Sequence, residues 1–344
     1  MRWVLAPCGH WLGKVSCMGP PCEPTKSGHE PDLNSGRRRV HLNGERSMMR
    51  RETFSSSGEA YYRHVESGFD DLAASYDTDI AGNEITIRMR EIFRRALLDS
   101  FHPGERLVEI GCGTGIDAVW LAEQGLEVVA TDISQGMVDR VAEKARTMSL
   151  KSLICRKMAA KDIGLLGKEF GFESFDGAYS HAGALNMEPE LARVPAQLRP
   201  LLRESSQFVC SVINRTSLFE VVFYLSVLRP RKAFRRLGDP VPIPISRSGP
   251  LQRYVVPSRF YTPRETRRLF EEHFVLKKLQ AMELFLPPAN LTGEYSFLKP
   301  IFGPLEALEN QLSTTYPWNE WGHHTIFTFL RRDPSMADVQ RFSH

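Results

Sequence analysis

The chain lacks a long hydrophobic run and has no strong excess of charge of either sign. None of its apolar stretches approaches the ~18 residues that a membrane-spanning helix requires. It contains 44 Lys and Arg against 41 Asp and Glu, a net charge of +3, so its surface as a whole is not a nucleic-acid footprint. With 42% hydrophobic and 25% charged residues, its composition is that of an ordinary globular protein. These features argue against a membrane bundle, a fibre and a fully disordered chain, but they identify no partner.

Cysteine is sparse, and its six positions show no paired spacing. Cys112, Cys155 and Cys210 fall in apolar segments, where a small thiol packs well. Three others lie in the first 22 residues, near His10, without the close Cys pairs of a structural zinc site. A reducing cytoplasm fits this usage best, and a zinc site near the N-terminus is disfavoured.

The first fifty residues show neither helical nor strand periodicity, and we expect them to be a disordered leader or a gene-model extension. The segment WVLAPCGHWLG is interrupted by Pro, Gly and His, so it does not resemble a signal peptide. Met48 or Met49 is a candidate native start. Beyond the leader we expect a cofactor-binding core over 51–213, a lid insertion over 214–260, completion of the core over 261–332, and a tail over 333–344.

Helical and strand patterns alternate after the leader, as in a parallel sheet with crossover helices. Strands are predicted at 106–110, 127–132, 153–156, 175–180, 207–213, 275–283 and 324–332. Helices are predicted at 84–100, 116–124, 134–147, 188–203 and 262–272, the last from an N-cap Thr, an N1 Pro and a capping-box Glu.

Glycines 111, 113 and 115, in VEIGCGTG, directly follow the first predicted strand and precede a helix. Missing side chains in such a turn let a ligand approach the main chain, and Asp132 ends the next strand where a carboxylate can bind ribose hydroxyls. A nucleoside ligand is therefore predicted. A nicotinamide fingerprint would place its third glycine where this chain has Ile116; the acid alone does not separate the two ligands, so the glycine spacing is the better discriminator.

The glycine turn, the acid in ATDIS and the FDGAYS strand resemble motifs of class I S-adenosylmethionine-dependent methyltransferases. The segment FDDLAASYD, from Phe69 to Asp77, is similar to the opening of the small-molecule branch that includes quinone and biotin-precursor methyltransferases. The resemblance covers roughly residues 69–332. It implies a Rossmann-like α/β fold, with a seven-stranded, mostly parallel sheet and helices on both faces, together with a lid insertion.

The resemblance also implies roles for individual residues toward S-adenosylmethionine. Glu109 would organise the loop, Asp132 would hold the ribose, and Asp162 would accept from the adenine amino group. The full set implied to bind the cofactor is Tyr76, Glu109, Gly111, Gly113, Gly115, Asp132, Ile133, Met137, Asp162 and Ser180.

Methyl transfer needs little from side chains, so a general base is optional. If the acceptor is a hydroxyl, His181, one residue past the fourth strand, is the best-placed base, and His323 and His324 are second choices. A structural role for any of these imidazoles stays open. We expect Asn186, Phe223 and His324 to contact the substrate, and no metal site is predicted.

The insertion begins with the apolar segment Leu218–Leu228 and continues with a basic segment, 229–236. This order suits a hydrophobic acceptor with an anionic end, a membrane-surface contact, or a helix with a solvated basic end. The favoured function is methyl transfer to O, N or C of a small, hydrophobic metabolite. A noncatalytic, cofactor-binding regulator and an RNA methyltransferase using 229–236 stay open as alternatives, although the segment SHAGALN lacks the motif of nucleic-acid base methylation, so that partner is disfavoured.

Overall fold

A computed structural model describes residues 58–245, 254–289 and 300–333. The predicted leader and tail lie outside these residues, apart from Asp333 at the start of the tail. Among the residues described, no helix combines the length and the apolar character needed to cross a bilayer.

The main sheet has seven strands in the order β3-β2-β1-β4-β5-β9-β8. The first five strands run parallel, and β9 lies between β5 and β8 and is antiparallel to both. A separate two-stranded sheet pairs β6 with β7. The strands are β1 (Arg106–Ile110), β2 (Glu127–Asp132), β3 (Leu153–Lys157), β4 (Phe175–Ser180), β5 (Leu202–Ile213), β6 (Val241–Pro244), β7 (Val255–Ser258), β8 (Phe274–Met282) and β9 (His324–Arg331).

Helices cover both faces of the main sheet. Along β1, Leu107 packs in one hydrophobic cluster and its neighbours Val108 and Ile110 pack in another, as expected when alternate side chains point to opposite faces. The α-helices are α1 (Glu59–Leu72), α2 (Tyr76–Ala81), α3 (Glu84–Leu98), α4 (Ile116–Glu123), α5 (Gln135–Thr147), α6 (Leu166–Phe170), α7 (Val194–Leu198), α8 (Leu218–Ser226), α9 (Pro230–Ala233), α10 (Pro263–Phe270) and α11 (Phe302–Leu312).

The predicted seven-stranded, mostly parallel sheet is confirmed, but the predicted helix over 188–203 is wrong. Only α7 is α-helical there, between short 3₁₀ turns, and β5 already begins at Leu202. Pro195 and Pro200 each lack an amide hydrogen, and each lies at the start of one of these short helical pieces. The capping box of Thr262 and Glu265 does form and begins α10.

The described part of 214–260 holds α8, α9 and the small sheet β6–β7. Its β7 strand is attached to α1, because the Tyr61 hydroxyl donates to the Pro257 carbonyl over 3.0 Å. Ile245 packs beside Tyr61, Tyr62 and Val256. The insertion therefore contacts α1 through β7 and Ile245. Its role as a lid stays a prediction.

Candidate active site

A pocket lies beyond the carboxyl ends of β1, β2 and β4, where ligands bind in open α/β sheets. Its floor includes the glycine turn after β1 and the acid that ends β2. Eight of the residues predicted from sequence line it: Tyr76, Glu109, Gly111, Gly113, Asp132, Ile133, Met137 and His181.

The three glycines of the turn have positive φ angles of 72°, 54° and 74°, which favour glycine, but they serve different purposes. A Cβ on Gly111 would lie 2.3 Å from Ala184 Cβ, and one on Gly115 would lie 2.8 Å from the Val141 side chain. These two glycines let neighbouring chain segments pack closely. A Cβ on Gly113 would meet only Tyr76, at 3.8 Å, so its open face belongs to the pocket. Gly115 does not line the pocket, so its requirement for glycine is explained by packing against α5.

Asp132 fastens the turn to β2 and still faces the pocket. Its Oδ2 accepts from the Gly113 amide over 2.8 Å, and its Oδ1 accepts from the Ser134 amide over 2.9 Å. Burial raises the pKa of Asp132 above its usual value, an effect that the backbone amides oppose. Each carboxylate oxygen keeps a second acceptor site, which ribose hydroxyls can use.

Two acids attach the segment FDDLAASYD to the rim of the pocket. Asp70 accepts from the Ser134 hydroxyl over 2.6 Å and from the Gly136 amide over 2.8 Å, at the N-terminus of α5. Asp77 accepts from the Thr114 hydroxyl and pairs with Lys144 over 2.7 Å. The segment thereby brings three side chains, Phe69, Leu72 and Tyr76, to the pocket, with Tyr76 beside Gly113.

The side of the pocket next to β2 and β3 is apolar. Ile133, Met158, Ala159 and Ala160 line it, and Met137 is fully buried. Such a surface suits a flat base such as adenine. Asp162 follows in a 3₁₀ turn but is not one of the lining residues, so its predicted contact with the adenine amino group has no support from its position.

His181 and Asp117 form a buried pair that opens on the pocket. His181 Nδ1 lies 2.9 Å from Asp117 Oδ2, and its ring stacks on Phe93 with centroids 4.0 Å apart. His181 Nε2 is buried and has no hydrogen-bond partner among the residues that the structure describes. The ring is thus fixed in orientation, and its second nitrogen is available to a ligand.

Charges around this pair set its protonation state. Burial lowers the pKa of His181 to about 4, although Asp117 opposes the shift, so the ring is neutral near pH 7. Burial would raise the pKa of Asp117, but Arg90, His181 and Arg94 hold it well below its usual value. A neutral imidazole oriented by an anionic carboxylate is the arrangement of a general base.

Glu109 is a second buried group with an unused polar atom. Burial, with the charge of Asp117, raises its pKa to about 8. Its Oε2 has no hydrogen-bond partner within the described part of the chain. The end of β1 therefore offers a polar atom to a ligand lying on the glycine turn.

Four other predicted residues do not line the pocket. Ser180 is fully buried and donates to the Ile110 carbonyl over 2.8 Å, which joins β4 to β1. Asn186 uses its amide on the backbone of Ile213 and Arg259, so its polar groups already have protein partners. Phe223 stacks on Phe219 within the insertion, and His324 contacts Glu283 at the start of β9.

Sequence reasoning missed the partners of His181. Asp117 follows the glycine turn at the second position of α4, and it bonds Arg90 and, over 2.9 Å, Arg94 of α3. Its place inside GTGID was a usable signal. Its pairing with His181, 64 positions further on, was not visible in the pattern.

The sheet order and the glycine turn define the class I methyltransferase fold, and comparison with known proteins agrees. The crystal structure of the [4+2]-cyclase SpnF superposes with a TM-score of 0.51 at 15% identity, over 78% of this chain and 96% of that one. Residues 107–205 match the model of a family described as a methyltransferase domain. Over residues 107–205, less than a third of its length, the chain is therefore similar to methyltransferase domains, and its fold is the Rossmann-like fold of class I methyltransferases.

Curated relatives match over part of their length. A demethylmenaquinone methyltransferase of Beutenbergia cavernae is 34% identical over 137 residues, 39% of this chain and 52% of the relative. A malonyl-[acyl-carrier protein] O-methyltransferase of Serratia marcescens is 40% identical over 76 residues, 22% of this chain and 28% of the relative. The chain thus spans about half, or less, of these relatives.

Proposed function

We propose that this protein is an enzyme that transfers a methyl group from S-adenosylmethionine to a small, largely hydrophobic metabolite. The observation that carries the proposal is the His181–Asp117 pair, which faces the same pocket as the glycine turn and Asp132. One cavity therefore joins a nucleoside-binding edge to a fixed, neutral base.

The residues of the pocket fit the proposed cofactor. Gly113 exposes its backbone, and Asp132 has acceptor sites for ribose hydroxyls. The positive charge of the methionine ammonium would favour the ionised form of Glu109, whose free Oε2 can then accept from it. The alanines that follow β3 can cover the adenine. When bound, S-adenosylmethionine supplies a methyl group on a positively charged sulfur, already activated for displacement.

The chain's own residues align the acceptor and take its proton. A hydroxyl placed within hydrogen-bond reach of His181 Nε2 can donate to it, and the proton can stay on that nitrogen as the oxygen gains its methyl group. Asp117 then stabilises the imidazolium, while Arg90 and Arg94 keep Asp117 ionised. An acceptor carbon or nitrogen would need this base only if it must lose a proton.

Calorimetry and labelling test the proposal. We expect S-adenosylmethionine and S-adenosylhomocysteine to bind, and label from the methyl group to appear in an extract of small metabolites. Binding without any labelled product would favour the noncatalytic regulator. The proposal would be refuted if the protein bound neither S-adenosylmethionine nor S-adenosylhomocysteine but did bind a nicotinamide dinucleotide.

The structure gives the RNA alternative little support, because part of the basic segment is neutralised. Arg235 and Arg236 both bond Glu220, and Arg236 is buried. Labelled RNA in the same assay, with affinity that falls steeply with salt, would restore this alternative.

We also propose that the insertion contacts an anionic lipid surface. Apolar residues at the end of α8 and beyond it are exposed, Leu228 to 88%, next to exposed Arg229, Arg231 and Lys232. Such a contact suits an acceptor that partitions into lipid.

Sedimentation with vesicles tests the lipid contact. Vesicles containing anionic phospholipid should bind the protein, and neutral vesicles should bind it less. Leu228→Glu should weaken binding, whereas Leu165→Glu, at an exposed position in another part of the chain, should not. Equal binding by both variants would reject the surface.

Location in a reducing cytoplasm is proposed as well. Cys112, Cys155 and Cys210 are free thiols in the described structure, and two of them are buried. Titration of thiols in protein isolated under alkylating conditions tests this, and oxidised cysteines would contradict it.

A further inference from the structure

A second cluster of chemically active side chains lies where β8 ends and β9 begins. Antiparallel pairing sets Met282 opposite His324. The residue after β8, Glu283, and the residue before β9, His323, therefore meet at the same end of the sheet. All three charged or imidazole side chains of the cluster are buried: Glu283, His323 and His324.

Three ligand-type atoms of this cluster form a nearly equilateral triangle. His323 Nδ1 and His324 Nδ1 are 2.9 Å apart, and they lie 3.1 Å and 3.0 Å from Glu283 Oε2. Hydrogen bonds cannot account for all three contacts. Two imidazole nitrogens carry at most two protons here, so one contact always sets lone pair against lone pair or proton against proton.

A cation in the triangle would satisfy every contact. Atoms bound ~2.1 Å from one ion and ~3.0 Å from each other subtend ~90° at it, as on one face of an octahedron. Two imidazoles and one carboxylate on such a face are the ligand set of open transition-metal sites. Glu283 Oε1 is buried without a hydrogen-bond partner among the described residues, so it is free for the ion or its water.

The surroundings hold this arrangement rigidly. Glu309 accepts from the amides of Glu283, Leu284 and Phe285 over 3.0 to 3.1 Å, which fixes the backbone that carries the carboxylate. Glu220 Oε1 lies 3.8 Å from His323 Nε2, beyond hydrogen-bond distance, so this carboxylate acts on the ring through its charge. Arg236, a nearby cation, directs its guanidinium to Glu220, which it shares with Arg235.

We propose that Glu283, His323 and His324 bind one divalent first-row transition-metal ion through Oε2 and the two Nδ1 atoms, with coordination positions left open. This site is separate from the residues that line the glycine-turn pocket. It does not depend on methyl transfer, because metal content is measured without turnover.

Metal uptake by the full chain tests this site. Protein freed of metal by a chelator is dialysed against Zn²⁺, Co²⁺ or, without oxygen, Fe²⁺, and bound metal is measured by mass spectrometry. The same measurement is made with Cys8, Cys17 and Cys22 replaced by Ser, so that thiol binding near the N-terminus is removed. We expect one ion per chain in both proteins, and a cobalt spectrum without thiolate charge transfer.

Ligand variants make the test specific. Glu283→Gln and His324→Asn should each weaken binding at least about tenfold, because even outer-sphere partners contribute that much. His102→Asn, at an exposed histidine outside the cluster, should bind as the wild type does. Circular dichroism shows whether each variant is folded. If one of the two ligand variants is unfolded, the metal affinity of the other one tests the proposal. No uptake of any of the three ions by the wild type, or unchanged affinity in a folded ligand variant, overturns the proposal.

Discussion

His181 is held by two contacts that act on different properties of its ring. Stacking on Phe93 sets the plane of the imidazole, and the bond to Asp117 engages Nδ1 and leaves Nε2 without a partner among the described residues. Because both partners are buried, the orientation does not depend on solvent. The free Nε2 is therefore the single atom on which the proposed proton transfer depends.

The first prediction concerns His181→Ala. Turnover with a hydroxyl acceptor should fall about 10²- to 10⁴-fold, the usual contribution of a general base, while affinity for S-adenosylhomocysteine stays close to wild type. Steady-state kinetics and calorimetry measure the two effects, and His102→Ala serves as the control. Unchanged turnover would leave His181 with a structural role only.

The low pKa of His181 gives a second prediction, on pH dependence. A base with an ordinary imidazole pKa would lose activity as the pH fell below about 6.5. Here the acid limb of kcat/KM should shift toward pH 4, because burial lowers the pKa to about 4 and keeps the ring neutral. A limb near pH 6.5 would show that another group is titrating.

A third prediction concerns the acid at the end of β2. Asp132→Ala should weaken cofactor binding by ~1.5 to 3 kcal/mol, the range for hydrogen bonds to charged groups. Calorimetry measures the change. Asp139→Ala, at an exposed position on α5, is the matched control, and wild-type affinity in the Asp132 variant would contradict the ribose assignment.

At the scale of elements, Asp77 attaches α2 to the glycine turn and to α5. It accepts from the Thr114 hydroxyl and pairs with Lys144. Asp77→Asn should loosen α2 and weaken cofactor affinity by a factor of about 1.4 to 5, since a partly exposed ion pair contributes ~0.2 to 1 kcal/mol. Asp79→Asn, on the same helix, is the control. Equal affinity in both variants would show that the Asp77 contacts do not contribute to cofactor binding.

The elements also show how far the sequence alone reaches. The parallel strands and the helices from α3 to α5 follow from period and capping, because their apolar faces repeat within a few residues. The 188–203 segment has the apolar content of a helix, yet two prolines divide it. The local sequence pattern predicted an element correctly where one of its faces is buried. It failed in the 188–203 segment, where the two prolines lack backbone amide hydrogens.

The site divides in the same way. Glycines and an acid at strand ends were found because their roles depend on backbone conformation and register. Other contacts join residues that are far apart in the chain, so no sequence spacing predicts them. They are the contacts of His181 with Phe93 and Asp117 and those of the Glu283 cluster. Asn186 and Ser180 were predicted to bind ligands because both are polar and lie near the ends of strands. A polar side chain there can also bond the backbone, and the structure shows Ser180 bonded to Ile110 and Asn186 bonded to Ile213.

At the scale of the whole molecule, burial of His181 couples stability to pH. Its folded pKa, about 4, lies below the unfolded value near 6.5, so the unfolded chain binds more protons between these limits. The free energy of unfolding should therefore fall as the pH decreases from about 6.5 to about 4. His181→Asn should flatten this slope in urea titrations, and the same slope in the variant would mean that other groups dominate.

The interior position of β9 has a consequence for synthesis. Ribosomes make β5 and β8 before β9, yet β9 must pair with both of them at once. Until it emerges, the outward edge of β5 exposes unpaired amides and carbonyls, a template on which nascent chains can associate. Newly made protein should therefore depend on chaperones until β9 has left the ribosome and paired, even though the residues of the pocket precede it in the chain.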